Sequence, residues 1–198
     1  MKQKLTVALI FGGPGAGKGT QGKLLDAIQG FVHFSTGDAF RSLDEDSTLA
    51  KNVRQFSSKG ELVPDEITLS VLRNGLDHES DELRYNPETD LLILDGFPRN
   101  PKQAELLKSY MDVVAIVHLR CSDPDVLVGR LKKRALEEGR ADDAKEDVIR
   151  RRLEVYTQET EPVLSMYDKA LIHEVEATGT PDEVLANVLE VLEPFKKA

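Results

Sequence analysis

The chain predicts an α/β fold of three layers, with a central five-stranded parallel sheet between helices. Two observations point there. Short apolar runs of strand length alternate with stretches of helical periodicity, the pattern of parallel strands covered on both faces. The first apolar run ends in a glycine-rich segment that opens the first helical stretch.

Residues 5–11 are aliphatic and β-branched and stop at glycines, so they form a buried strand. Helical periodicity covers 17–29, and a short second strand covers 32–34. Helices follow at 38–43, 48–59 and 64–77. Pro64 suits a first helical turn, and Asp65 and Glu66 suit its positive end. Residues 79–90 are a polar connector. The apolar run 91–94 closes on Asp95. A helix at 101–110, a buried strand at 113–119 and a helix at 125–138 come next, and a polar loop follows at 139–144. Residues 147–167 are expected as one long helix bent at Pro162. A strand at 171–175 and a helix at 181–195 close the chain. There is no repeat, low-complexity tract or linker, so residues 1–198 read as one domain.

Bulk properties narrow the function. A net charge of −9 argues against general nucleic-acid binding, which needs a basic footprint. One cysteine makes no internal disulfide and excludes a multi-cysteine zinc site, which fits a reducing, cytoplasmic setting. No run approaches the roughly 20 apolar residues of a membrane span. Met1–Lys4 and the apolar run after it have the outline of a signal peptide. However, the run is short, no cleavage site follows, and cleavage would destroy the glycine loop.

The loop is Gly12-Gly13-Pro14-Gly15-Ala16-Gly17-Lys18-Gly19-Thr20. Between a strand and a helix, this is a phosphate-binding loop. Glycines let successive backbone N–H groups turn toward one phosphate, and the helix start adds its dipole. Lys18 brings a mobile positive charge. The usual Ser or Thr directly after the lysine is replaced by Gly19, with Thr20 next, so Mg²⁺ is expected to be held differently.

Four further segments follow in order: Phe34-Ser35-Thr36-Gly37-Asp38 with Arg41, Gly60-Glu61-Leu62-Val63-Pro64, Asp95-Gly96-Phe97-Pro98-Arg99, and the arginines from Arg130 to Arg152. With the Lys-Gly-Thr variant they make the chain, from about residue 5 to 195, resemble the nucleoside monophosphate kinases, and among these the short-lid adenylate kinases. The resemblance implies Mg²⁺-dependent transfer of the ATP γ-phosphoryl group to AMP, giving two ADP, by a monomer. It divides the chain into a core (1–34, 91–132, 144–198), a monophosphate-binding insertion (35–78, with connector 79–90) and a short lid (133–143) without zinc ligands, expected to close over the nucleotides. Both reactants are polyanions, so the protein's task is positioning and charge neutralisation. The acceptor phosphate is already largely anionic at neutral pH, and no general base is required. All four histidines read as structural.

The resemblance also implies roles. Gly15, Ala16, Gly17, Lys18, Gly19, Thr20, Arg130, Arg134 and Gly179 would bind ATP. Thr36, Arg41, Glu61, Leu62, Val63, Gly96, Phe97, Pro98, Arg99, Gln103, Arg140 and Arg152 would bind AMP. Lys18, Asp95, Arg99, Arg134, Arg140 and Arg152 would act in catalysis, with Asp95 organising Mg²⁺ through water. The segment before Arg152 is one residue longer than usual, which leaves Arg151 as an alternative. Lys132, Lys133 and Arg150 read as a solvated, charge-paired face.

Thr36, the Val63 carbonyl and Gln103 favour adenine. Asn100, directly after Arg99, points instead to the pyrimidine-using kinases. Two other readings stay open: a UMP/CMP kinase, and a P-loop regulator without phosphotransfer. The second is opposed by the absence of an Asn-Lys-x-Asp motif and by the acceptor-site residues themselves.

Overall fold

The computed structural model describes residues 4–81, 84–139 and 145–197. Five strands, β1 (Leu5–Gly12), β2 (Phe31–Ser35), β3 (Leu91–Asp95), β4 (Met111–Arg120) and β5 (Ile172–Glu176), form one parallel sheet in the order β2-β3-β1-β4-β5. The helices are α1 (Lys18–Asp26), α2 (Thr36–Arg41), α3 (Thr48–Ser57), α4 (Asp65–Asp81), α5 (Pro101–Tyr110), α6 (Pro124–Glu138), α7 (Glu146–Val155) and α8 (Pro181–Leu192). The predicted α/β class and parallel five-stranded sheet are as expected.

Strand alternation sorts the core into two layers. Val7, Leu9, Phe11, Leu92 and Leu94 face α4, α5 and the segment after α7. Ala8, Ile10, Leu91 and Ile93 face α1 and α8. A β-bulge interrupts the β1–β4 ladder between Val7, opposite Val113, and Ala8, opposite Ala115. Val114 is the unmatched residue, and beyond it Ile116 joins the first layer while Ala115, Val117 and Leu119 join the second.

Several boundaries differ from expectation. Helix α4 runs to Asp81, past the expected end at residue 77 and into the first residues of the expected connector 79–90. Helix α1 ends at Asp26, short of residue 29. The long helix expected over 147–167 is three pieces: α7, one π turn at Tyr156–Thr160, and a 3₁₀ segment at Glu161–Met166. Pro162 has no N–H for the carbonyl four residues back, so regular α-bonding stops ahead of it. The wide turn is pinned by Thr160, whose hydroxyl donates to the Arg99 carbonyl at 2.9 Å. At the expected lid, residues 133–138 continue α6. Residues 140–143 lie outside the described residues, and Arg140 with them.

Among the described residues no helix is long and apolar enough to cross a membrane. Lys132 and Arg150 both pair with Glu146 at 2.7 Å, and Lys133 pairs with Glu137 at 3.6 Å, the charge-paired surface expected of them.

Candidate functional site

The site begins where β1 runs out. Gly12, Gly13, Pro14, Gly15, Ala16 and Gly17 turn the chain back into α1. Gly15 has φ 85°, and a Cβ there would lie 2.7 Å from the Leu127 carbonyl oxygen of α6, so only glycine fits. Lys18, in the first turn of α1, folds back so that Nζ donates to the carbonyls of Gly12 (2.6 Å) and Gly13 (3.2 Å). Burial lowers the Lys18 pKa and Asp95 opposes it, while the positive charges of Arg99, Arg152 and Arg134 add to the burial. The result is about 8. Ala16 is buried, Gly19 half-buried and Thr20 exposed in the same segment.

The ends of β2 and β3 form the next wall. Ile10 and Ser35 both pair with Asp95, which brings three strand ends to one place. This is the carboxyl edge where open α/β sheets hold ligands. Asp95 is buried. Burial pushes its carboxyl up, but His33, Lys18 and Arg99 outweigh that and hold it below the usual carboxylate range. His33 Nε2 lies 3.7 Å from Asp95 Oδ2, beyond hydrogen-bond reach, and has no hydrogen-bond partner among the described residues. Among the described residues no three His, Cys, Asp or Glu side chains gather as a metal site.

Ser35 caps α2, its hydroxyl accepting from Asp38 N at 3.2 Å. Thr36 is therefore free of that duty, and its hydroxyl donates to the Asp95 carbonyl at 3.3 Å. A Cβ at Gly96 (φ 80°) would stand 2.6 Å from that hydroxyl and 3.0 Å from the Arg99 guanidinium. Arg99 Nε donates to the Gly96 carbonyl at 2.8 Å. The Arg41 guanidinium lies 2.5 Å from Asp38 Oδ1.

Between these walls lies a cavity of about 630 Å³. Lys18, Arg41, Arg99 and Arg152 line it with Gln103, and so do Glu61, Leu62, Val63, Gly96, Phe97 and Pro98. Arg152 also packs against Gly60, whereas Arg151 is exposed and pairs with Glu154 at 3.3 Å, so geometry puts Arg152 at the site. Thr36 and Asp95 stand just behind the wall. Arg130 and Arg134, on α6, are half-buried outside it, although the charge of Arg134 reaches Lys18. Gly179 is exposed in the turn before α8. That turn is tied to α1 by Gln21, whose Nε2 donates to the Pro181 carbonyl at 2.9 Å.

Asn100 does not face the cavity as a base reader. Its Oδ1 caps α5 by accepting from Gln103 N (2.8 Å), and its Nδ2 donates to Asp65 Oδ1 (2.9 Å). The Val63 carbonyl is within 3.3 Å of the Thr68 hydroxyl.

Several neighbours of the site escaped sequence reading. His118, on β4, is hydrogen-bonded through Nε2 to Tyr156 Oη at 3.1 Å, and the Tyr156 ring borders Gly13. Burial lowers the His118 pKa more than the nearby Glu161 and Glu174 raise it. Thr160 and Asp65 were missed as well. A histidine on a strand carries no spacing signal, and these contacts arise only once β4, α7 and α5 pack together.

The adenylate kinase family model matches residues 10–172. An adenylate kinase of Kocuria rhizophila is 38% identical over 195 residues, spanning 96% of this chain and all of that one. The chain belongs to the adenylate kinase family. An adenylate kinase of Nocardioides sp. is 40% identical over 192 residues, spanning 93% of this chain and 96% of the relative. Adenylate kinase isoenzyme 1 of Rattus norvegicus is 35% identical over 196 residues, spanning 98% and 97%. Adenylate kinases are phosphotransferases of the nucleoside monophosphate kinase class, and such chemistry asks for what the cavity supplies, a phosphate loop facing a second cationic wall across one shared cleft.

Proposed function

We propose that the protein catalyses ATP + AMP ⇌ 2 ADP. The observation that carries this reading is the single cavity onto which both Lys18 of the phosphate loop and the Arg41, Arg99, Gln103 wall open. The ATP phosphates lie along residues 15–20 with Arg134 beside them, and the adenine runs toward Arg130 and Gly179. The AMP phosphate sits between Arg41 and Arg99, with its base against Val63 and Gln103 and Thr36 behind them. An AMP phosphate oxygen bonds to the γ-phosphorus as the bond to the β-phosphate oxygen breaks. Lys18, Arg134 and Arg152 receive the charge that spreads over the transferring group. Arg140, outside the described residues, is assigned to the same task.

Asp95 fits Mg²⁺ in one respect that the site displays: its carboxyl is held in the ionised form, and among the described residues no group of three His, Cys, Asp or Glu side chains gathers around it. A lone carboxylate suits an ion that keeps most of its waters and takes its remaining ligands from phosphates. Bound there, Mg²⁺ would neutralise charge on the ATP phosphates. A monomer in a reducing cytoplasm completes this reading, the second supported by the single cysteine of the chain.

A coupled assay of ADP formation from ATP with AMP, UMP, CMP or GMP tests the assignment. AMP should give the highest kcat/KM, by a factor of 100 or more on the order of what a buried base-reading hydrogen bond provides. A preference for UMP or CMP would overturn it.

A further inference from the structure

A glutamine carboxamide is almost symmetric in shape and opposite in chemistry at its two ends. Turned over, it offers a donor where it had offered an acceptor. Whatever reads a base with Gln103 must therefore also fix which way the amide faces.

Two contacts within the protein do so. Oε1 accepts the Arg99 backbone N–H at 2.7 Å, and Nε2 donates to Asp65 Oδ1 at 2.9 Å. A backbone N–H only donates and an ionised carboxylate only accepts, so the opposite orientation would set donor against donor and acceptor against acceptor. Asp65 stays ionised. Burial raises its pKa, but hydrogen bonds from Asn100, Gln103 and Lys102 together bring it below the normal value. Gln103 is 1% exposed, so water has little access to satisfy a reversed amide. Asp65 itself does not line the cavity. It stands behind the reader at the start of α4, also holding Asn100 (2.9 Å) and Lys102 (3.2 Å).

We infer that Asp65 is a specificity-determining positioning residue, which by holding the Gln103 amide in one orientation makes the site read a 6-amino purine and reject a 6-oxo purine. This rests on the reading of the cavity as an AMP site. Once Asp65 and Arg99 are satisfied, the amide retains one N–H and one carbonyl lone pair. Adenine offers a matching pair, the N1 acceptor and the N6 donor. Hypoxanthine offers the reverse, an N1–H donor and an O6 acceptor. It pairs only with a reversed amide.

The test is the ratio of kcat/KM for AMP to that for IMP, with ATP as donor, in the wild type, Asp65→Ala and Asp65→Asn. IMP is the probe because it lacks the 2-amino group that would complicate GMP. Asp65→Ala should lower the ratio about tenfold, the order expected for one charge-assisted hydrogen bond, with KM for ATP unchanged. Asp65→Asn can keep an oxygen on Gln103 and Asn100, and should restore the ratio to within about twofold. If the alanine variant does not fold, Asp65→Ser takes its place with the same expectation. Equal loss with both monophosphates, leaving the ratio intact, would overturn the inference and reduce Asp65 to a support for α4. A wild type that ignores AMP would instead defeat the AMP-site reading.

Discussion

Lys18 shows how much one residue type at one spacing reveals. The lysine and its glycines were legible because a phosphate loop is a contiguous motif whose chemistry follows from spacing. Its depressed pKa was not, because that depends on Asp95, Arg99, Arg134 and Arg152, far away in sequence. A polyphosphate favours the ammonium form and should raise this pKa. Binding of ATP near pH 8 should therefore take up a proton, seen in calorimetry as an enthalpy that changes with buffer ionisation heat. Lys18→Met should abolish both this uptake and most turnover. An enthalpy independent of buffer would defeat the assignment. In the nucleotide-free protein the sign runs the same way. The folded pKa lies below the usual 10.5, so the unfolded chain binds more protons between about 8 and 10.5, and the unfavourable contribution of Lys18 to stability is relieved as pH rises through that window. His33 and His118 mark the opposite limit of legibility. Each was read as structural, yet His33 stands against Asp95, and His118 reaches Tyr156 beside the phosphate loop.

Elements were legible in proportion to how local their causes are. Helix α5 occupies residues 101–110 as predicted because Asn100 caps it and Pro101 fills its first turn. The start of α8 is set the same way. The Thr180 hydroxyl accepts from Glu183 N at 3.4 Å, and Glu183 Oε2 returns to Thr180 N at 2.8 Å, a full capping box. Thr180→Ala should cost about 1 kcal/mol. That is a fall in Tm of roughly 2–4 °C for a chain of this size, measured by thermal denaturation. An unchanged Tm would mean that packing of Val184, Val188 and Leu192 alone defines this helix. The stretch after α7 defied prediction because its cause is not local. Pro162 stops the α-bonding, but the width of the turn before it goes with the hydrogen bond from Thr160 to Arg99, 61 residues away in sequence.

At the scale of the molecule, the parallel sheet could be read from alternating strand and helix patterns, and the strand order could not, because order resides in crossovers rather than in any segment. The order places β1 centrally, with β3 and β4 as its neighbours, so the phosphate loop and the acceptor wall share one sheet edge. A ligand spanning both should stabilise the whole fold. Two adenosines joined through five phosphates should raise Tm by more than saturating ATP or AMP alone, because ligation of the second half is intramolecular. Equal shifts would indicate that the two halves are not simultaneously accessible. The bulge at Val114 has a consequence for this arrangement. It acts as a change of parity, after which every side chain of β4 faces the layer that strict alternation would have denied it. That is how His118 comes to meet Tyr156 on the α7 side while Leu119 goes to the α8 side. Deleting Val114 would leave those two faces in place, because Val113 and Ala115 already stand opposite the consecutive residues Val7 and Ala8, whereas drawing Val114 into the regular ladder would exchange them and turn the imidazole toward an apolar layer. In β4, the place where the extra residue is absorbed governs the site as much as residue identity.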